Sequence, residues 1–593
     1  MPRSISTLFC CKRQTSLLVR LIYSLLTSFF HIAIFLVALV GLANFWLPLV
    51  DDYKGILEQE ISGFLGNQVT IGSIEVDRNS ESPRWIVHDL QLAEPSGEVP
   101  IHIQQLALGI DWEESLRTLR LQPADVQLEG VEFILRQTAQ GLPDVQGLTF
   151  PLPGQKNTAL NVERQSPIRV TINGGYVNWM DTTNHRTLTL NDLQFVGEFS
   201  PHEITVQADA LFPPRIGESL AVDAMLKREK GADGQEDWGG VLNTRTQIFN
   251  LAALPSPQLQ AMGISAGSLS LDAQIKAEVG KPLQIQGNGE ITHLGLHGTK
   301  TLPAIQEVNA TFAANNAGGT LEVKLDHSVL NYPQWFEKPL PIDQLTATLN
   351  WEVKPDAWQW TVPQLTFQNR DLRASGIGSL ALPNSTTAKK KSPHQTSPNL
   401  DLKLQFATQR RIDNVRDYIP SVIIDGTEQW LKTAIVAGNV PKGEFIFQGN
   451  PSDFPFKNKP GVFDVRFDIE DGVLAYLPEW PEARDVKGGL RFHNAGMAAK
   501  VNSATIMDLA VKGGTVDIPD MLGETHLLLD LQTQGDLRGH MDYLQSAPIG
   551  KSLRDFMQIA EFKGKSDLQL KLDVPLDSPV FDKKGVTVDG VVT

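Results

Sequence analysis

From Val69 to Thr593 almost every apolar stretch alternates, one apolar side chain followed by one polar. Leu106/Leu108/Ile110/Trp112, Ile168/Val170/Ile172, Leu321/Val323/Leu325 and Leu345/Ala347/Leu349/Trp351/Val353 are examples. Leu400/Leu402/Leu404/Phe406, Phe463/Val465/Phe467/Ile469 and Leu568/Leu570/Leu572/Val574 continue the pattern. Successive side chains of a strand point to opposite faces, so this chain builds strands with one apolar and one polar face. Asn173-Gly174-Gly175, Gly287-Asn288-Gly289, Asn315-Asn316-Ala317-Gly318-Gly319 and Asp471-Gly472 carry turn residues and read as divisions between strands. The expectation is antiparallel β-structure whose apolar faces either close into a core or form an open trough. Alternation is the same in both cases.

Helical periodicity interrupts the strands in few places. Tyr53–Leu65 places Leu57, Ile61 and Phe64/Leu65 on one face, Thr427–Ala437 places Trp430, Leu431, Ala434 and Ile435, and Lys551–Phe562 places Leu553, Phe556, Met557 and Ala560. The last two follow similar lead-ins, Arg416-Asp417-Tyr418-Ile419-Pro420 and His540-Met541-Asp542-Tyr543-Leu544. Tyr418 and Tyr543 lie 125 residues apart, which reads as a divergent repeat of lead-in, helix and strand array. Pro151–Pro167, Glu229–Asp237 and the polar tract Asn384–Asn399, with its lysine triplet, read as loops. Gly585–Thr593 stops inside what looks like a hairpin, so the sheet is expected to continue in a longer parent chain.

Ahead of the strands, Leu21 to Leu49 contains no Asp, Glu, Lys or Arg. About 20 apolar residues cross a bilayer as a helix, so this run is expected to be a transmembrane anchor, with Leu21, Ile32, Phe35, Val40, Phe45 and Trp46 among its residues. A cleaved signal would have an apolar core of about 7–15 residues and a small-residue cleavage site. This run is longer and ends Asn44-Phe45-Trp46-Leu47-Pro48. Arg3, Lys12, Arg13 and Arg20 precede it and Asp51-Asp52 follow, which orients the N-terminus to the cytoplasm. The expected organisation is a cytoplasmic 1–20, an anchor 21–50, an exported first part 51–383, a polar loop 384–399 and a second part 400–593.

The chain has 52 Lys+Arg and 68 Asp+Glu; setting aside the four basic residues before the anchor leaves the exported part at −20. Such a surface repels phosphate and argues against nucleic acid as a partner. Both cysteines, Cys10 and Cys11, precede the anchor, so the exported part has no disulfide. Gly564-Lys565-Ser566 lacks the earlier glycine of a phosphate loop, and His293 and His297, on a stretch that reads as a Gly-rich turn, have no further metal ligand nearby. No catalytic constellation, cofactor site or metal site is expected, and the chain does not read as an enzyme.

Several stretches together resemble the AsmA-like superfamily and its YhdP branch. They are Pro83–Leu92 followed by Leu106–Leu116, Gly174–Asp181 with Trp238-Gly239-Gly240, and Asp417-Tyr418-Ile419-Pro420, Trp430-Leu431, Asp453-Phe454-Pro455-Phe456 and Gly472–Pro481. Ala475 and Glu479 depart from the pattern. The resemblance implies a mainly β protein: an N-terminal transmembrane helix, then a long, curled antiparallel β-sheet forming an elongated apolar groove, with a few short helices. It implies a single-pass inner-membrane protein of a Gram-negative cell, its bulk periplasmic, that moves phospholipids between inner and outer membranes. The partners implied are phospholipid acyl chains, the inner membrane through one helix, and outer-membrane or periplasmic proteins. Alternating side chains then become candidate groove lining: Leu400, Leu402, Leu404, Phe406, Phe463, Val465, Phe467, Leu568, Leu570 and Leu572. The other reading is a periplasmic scaffold or outer-membrane assembly factor that closes these side chains into a core and conducts no lipid.

Overall fold

The computed structural model describes residues 69–77, 84–92, 101–111, 122–137, 143–145, 167–181, 186–230, 236–299, 302–334, 336–383, 398–413, 415–418, 433–476, 480–522, 525–546, 561–575 and 587–593, with residues 54, 55, 58, 113, 114 and 117. The charge-free run 21–50 lies outside them. No helix among the described residues is long and apolar enough to cross a membrane. Twenty-nine strands are present among the described residues, with a few short helices, so the chain is mainly β. It divides into two compact units, Met1–Ala261 with Gly267–Glu290, and Met262–Ala266 with Ile291–Thr593.

In unit one, β1 (Val69–Thr70) and β2 (Ser73–Asp77) both pair with β3 (Arg84–Leu92), which pairs with β4 (Ile101–Asp111) and so on to β5 (Gln122–Glu129), all antiparallel. The antiparallel rule then breaks. β5 and β6 (Glu132–Gln137) both lie parallel to β8 (Ile168–Asp181), while β7 (Pro143–Val145) pairs with β6. A parallel pair needs a crossover of a dozen or more residues, and the long 138–167 connection supplies it. From β8 the meander resumes through β9 (Arg186–Phe199), β10 (Glu203–Leu211), β11 (Gly217–Lys230), β12 (Glu236–Ile248) and β13 (Ile264–Ala277). A 3-10 turn (Leu251–Ala253) and α1 (Pro257–Ala261) separate the last two. The apolar face here is a closed core in which Leu90, Leu106, Leu108, Val126, Leu128, Val170 and Ile172 are buried.

Unit two is a longer antiparallel meander. After β14 (Gln284–His297) come β15 (Ala304–Asn315), β16 (Gly318–Leu330), β17 (Leu340–Val353), β18 (Ala357–Gln368), β19 (Leu372–Pro383) and β20 (Asn399–Thr408). β21 (Ile435–Asn439), β22 (Gly443–Gly449), β23 (Gly461–Leu474), β24 (Ala483–His493), β25 (Gly496–Ile506) and β26 (Leu509–Ile518) follow. β27 (His526–Asp536), α2 (Leu537–Ser546), β28 (Lys565–Pro575) and β29 (Thr587–Val592) complete it. β20 pairs with β22, and β22 covers only the first half of the edge of β23; β21 pairs with the rest.

That free edge explains one correction. Ile435, Val436 and Ala437, expected to end a helix, are strand, because Ile435 finds Leu474 and Ala437 finds Val473. The remainder of that helix before Thr433, and Lys551–Ala560, lie outside the described residues. The second lead-in is itself helical, within α2. Of the expected turns, Asn315–Gly319 is one: the Asn315 Oδ1 accepts from the Ala317 and Gly318 amides at 2.8 and 3.2 Å. The other three lie inside strands. Gly174 (φ 67°) and Asp471 (φ 50°) sit at β-bulges of β8 and β23, which need the same left-handed residues as turns do. Gly287-Asn288-Gly289 lies within β14, as do His293 and His297; the His293 Nδ1 is 2.6 Å from the Glu307 carboxylate.

Candidate functional site

Directly opposed residues of an antiparallel pair project to the same face. In unit two the registers therefore trace continuous apolar rows across the strands. One runs Leu325, Leu345, Phe367, Ala374, Phe406, Gly443, Phe467, Leu490, Ala499, Val516, Leu529 and Leu572. The next runs Val323, Ala347, Leu365, Gly376, Leu404, Phe445, Val465, Phe492 and Met497. A bulge in β18 keeps Trp358, Trp360, Leu365 and Phe367 on this face, since they oppose Val353, Trp351, Ala347 and Leu345.

The rows change character along the unit. From β17 to β23 most of these side chains are only half-buried, including Leu345, Leu349, Leu365, Phe367, Leu400, Leu402, Leu404, Phe406, Phe445, Phe463, Val465 and Phe467. From β24 to β28 they are mostly buried: Leu568, Leu570 and Leu572 are 3, 3 and 4% exposed in one core with Leu529, Leu531, Ile518 and Tyr543. The expected lining thus falls into two groups. Leu400, Leu402, Leu404, Phe406, Phe463, Val465 and Phe467 share one open apolar face, and Leu568, Leu570 and Leu572 lie in the covered part.

Glycines keep the open floor shallow. A Cβ on Gly376 would overlap the Leu404 Cδ2, so Leu404 lies flat across β19. The Phe406 ring lies over Gly443 in the same way. Phenylalanines dominate the middle of the face: the Phe445 and Phe463 rings are 5.9 Å apart and Phe406 and Phe467 6.2 Å. The β22–β23 connection adds a wall, with buried Phe456 against Phe447 at 5.2 Å and Phe454 edge-on to Phe463 at 5.0 Å. Sequence reasoning marked Phe454 and Phe456 only as part of a motif, and it passed over Trp358 and Trp360 because the β18 bulge breaks their alternation with Leu365.

The β18–β19 turn is itself capped. Asn369 and Asp371 are buried, and the Tyr418 hydroxyl, from a 3-10 turn (Val415–Tyr418), donates to the Asp371 Oδ2 at 2.7 Å. Burial, with the Asp371 carboxylate beside it, pushes the Tyr418 hydroxyl up to about 12. Burial alone would raise the Asp371 carboxyl, but the bonds from Tyr418 and Arg410 outweigh it and hold it below the ordinary carboxylate value. The covered part is capped by α2. His540, wholly buried, bonds Ser566 at 2.8 Å and Thr533 at 3.0 Å, and the Tyr543 hydroxyl meets that of Tyr476 at 3.1 Å. Burial lowers the His540 pKa, so it is neutral near pH 7.

The opposite face is polar and internally matched. Arg466 bonds Glu444 at 2.9 Å, Arg491 bonds Asp464 and Gln448 bonds Asp401 at 3.1 Å. A hollow of about 660 Å³ on that side is lined by both signs of charge, among them Glu444, Arg466, Asp468 and Arg491. Among the described residues no three His, Cys, Asp or Glu side chains meet to hold a metal. The feature of unit two that water does not suit is the open apolar face.

The sequence profile described as "YhdP protein" matches residues 8–288 and 271–593. The chain belongs to the YhdP family. Within known proteins it is similar to the "Intermembrane phospholipid transporter YhdP" of Escherichia coli (strain K12), 24% identical over 286 residues. That match covers 48% of this chain and 22% of the relative, so the chain aligns with about a fifth of that protein. No solved structure matches the chain.

Proposed function

We propose that the open apolar face of β17–β23 is a stretch of groove along which phospholipid acyl chains move between the inner and outer membranes. The observation that carries this is a row of apolar side chains, in register over six strands and left only half-buried, in a family whose E. coli relative is named as a phospholipid transporter. An acyl chain of about 16 carbons costs on the order of 13 kcal/mol to hold in water, at about 0.8 kcal/mol per CH₂. A face of this kind removes much of that cost. In this reading the run 21–50 anchors the chain in the inner membrane as a single span with a cytoplasmic N-terminus, the rest is periplasmic, and the protein is not an enzyme. The sheet curls about the groove lengthwise, and the polar face meets the periplasm.

Native mass spectrometry of the full-length chain tests this against the scaffold reading. The groove predicts bound phospholipid, reduced in Leu404→Asp, which puts a charge where an acyl chain passes, and unchanged in Lys403→Asp. A folded chain that carries other proteins and no lipid would favour the scaffold.

A further inference from the structure

The two ends of the strands β16–β20 differ, and the difference gives the groove a polarity. At the end marked by the β18–β19 turn, Asn369 and Asp371 are buried, and both bond the Tyr418 hydroxyl. Four cations there are engaged: Lys338 with Asp417, Arg370 and Arg410 with Asp371, and Arg411 with Asp413. At the other end Val353, Trp358 and Leu382, directly opposed across β17, β18 and β19, are 37, 41 and 37% exposed. Trp360 stacks between its neighbours there, 5.5 Å from Trp351 and 6.4 Å from Trp358. Trp351, opposed to Gly319, lays its ring over that glycine.

We propose that a phospholipid lies in this groove in one orientation, headgroup at the tryptophan end and acyl chains running along the strands toward Phe367 and Phe406. The inference rests on the lipid reading above and adds to it a headgroup subsite formed by Trp351, Trp358 and Trp360. A hydrated headgroup must stay where water is, and at the tryptophan end Val353, Trp358 and Leu382 are open to it. Indole offers an apolar body with one N–H donor, and tryptophan collects at the headgroup level of bilayers for that reason. None of these three N–H groups has a protein partner among the described residues, which leaves them for ester or phosphate oxygens. The depth fits. Trp360 to Phe367 spans roughly 20 Å at about 3.3 Å per residue, enough for the ~15 Å of chain that one leaflet contributes to a ~30 Å hydrocarbon core.

The test places a photo-crosslinking benzoylphenylalanine at Leu382 or at Phe406 in the full chain in cells, leaving the tryptophans intact. After irradiation, fragmentation of the lipid adducts by mass spectrometry locates the new bond on the lipid. The expected result is headgroup, glycerol or first acyl carbons at Leu382 and distal acyl carbons at Phe406. Trp360→Leu, which keeps an apolar side chain and loses the N–H, should lower the distal-to-proximal ratio at Phe406 about five-fold, the worth of one hydrogen bond. The reverse assignment, or the same lipid positions at both sites, would overturn the orientation and leave the groove standing. Adducts at neither site would overturn the groove reading itself.

Discussion

The strands β17–β20 and the strands β24–β28 belong to one unit and share the same apolar rows, yet one set is open and the other covered. Leu404 on β20 and Leu570 on β28 alternate with polar neighbours in the same way, but Leu404 is only half-buried and Leu570 is 3% exposed. The difference comes from what lies on the face. β27 and β28 place Thr533 and Ser566 on the apolar side, where they hold His540 of α2. Gly539 lets α2 settle close to Leu509, and Tyr543 packs edge-on to Trp480 at 5.9 Å. β20 presents Leu400, Leu402, Leu404 and Phe406 on the same face with no hydroxyl pair to dock a helix. Alternation chooses the face; the connections decide whether it is covered.

The largest effect expected from this contrast is on folding. Leu570→Asp buries a carboxylate without a partner and should destabilise the covered part by several kcal/mol. Leu404→Asp should cost about 1 kcal/mol or less, because water reaches it, while removing bound lipid. Urea unfolding followed at α2 separates the two; equal losses of stability would mean that the β20 face is as sealed as the β28 face. Next in size is Tyr418→Phe, which takes a donor from the buried Asp371 and should cost about 1–3 kcal/mol. Hydrogen exchange should place that loss at the capped end of β18–β20 and leave α2 protected.

A smaller effect is pH-dependent and confined to α2. The His540 pKa is lowered by burial, so the unfolded state takes up the proton first. Its contribution is intact above the ordinary histidine value of 6.5 and is lost as pH falls below that value toward the depressed folded one. Exchange protection of α2 should therefore drop between pH 7 and pH 5, by no more than about 1.4 kcal/mol per pH unit. In His540→Gln the slope should vanish, and its persistence would assign it to another group. The smallest effect is at the polar face. Lys403→Asp should change stability by no more than about 0.5 kcal/mol and leave lipid content unaltered.

Much of this was legible in the sequence. Leu400–Phe406 and Phe463–Ile469 are strands with the expected faces because period-two patterning follows directly from the pleat. Gly174 and Asp471 misled because bulges and turns use the same residues. The parallel pairing of β5 and β6 with β8 depends on where a long connection crosses, which local pattern does not record. Leu404 and Leu570 could not be told apart for a similar reason. The cover over β28 comes from α2 and from polar contacts at Thr533 and Ser566, whose value shows only once the helix is in place.

The most direct test of the open groove is a photo-crosslinker placed in turn at Leu404, Lys403 and Leu570 in the intact chain, irradiated in cells and read for covalently attached phospholipid. Leu404 faces the open apolar side, Lys403 the polar side and Leu570 the covered core. The account predicts lipid adducts at Leu404, few at Lys403 and none at Leu570. Equal labelling at Leu404 and Lys403, or none at Leu404 in a folded chain, would contradict it.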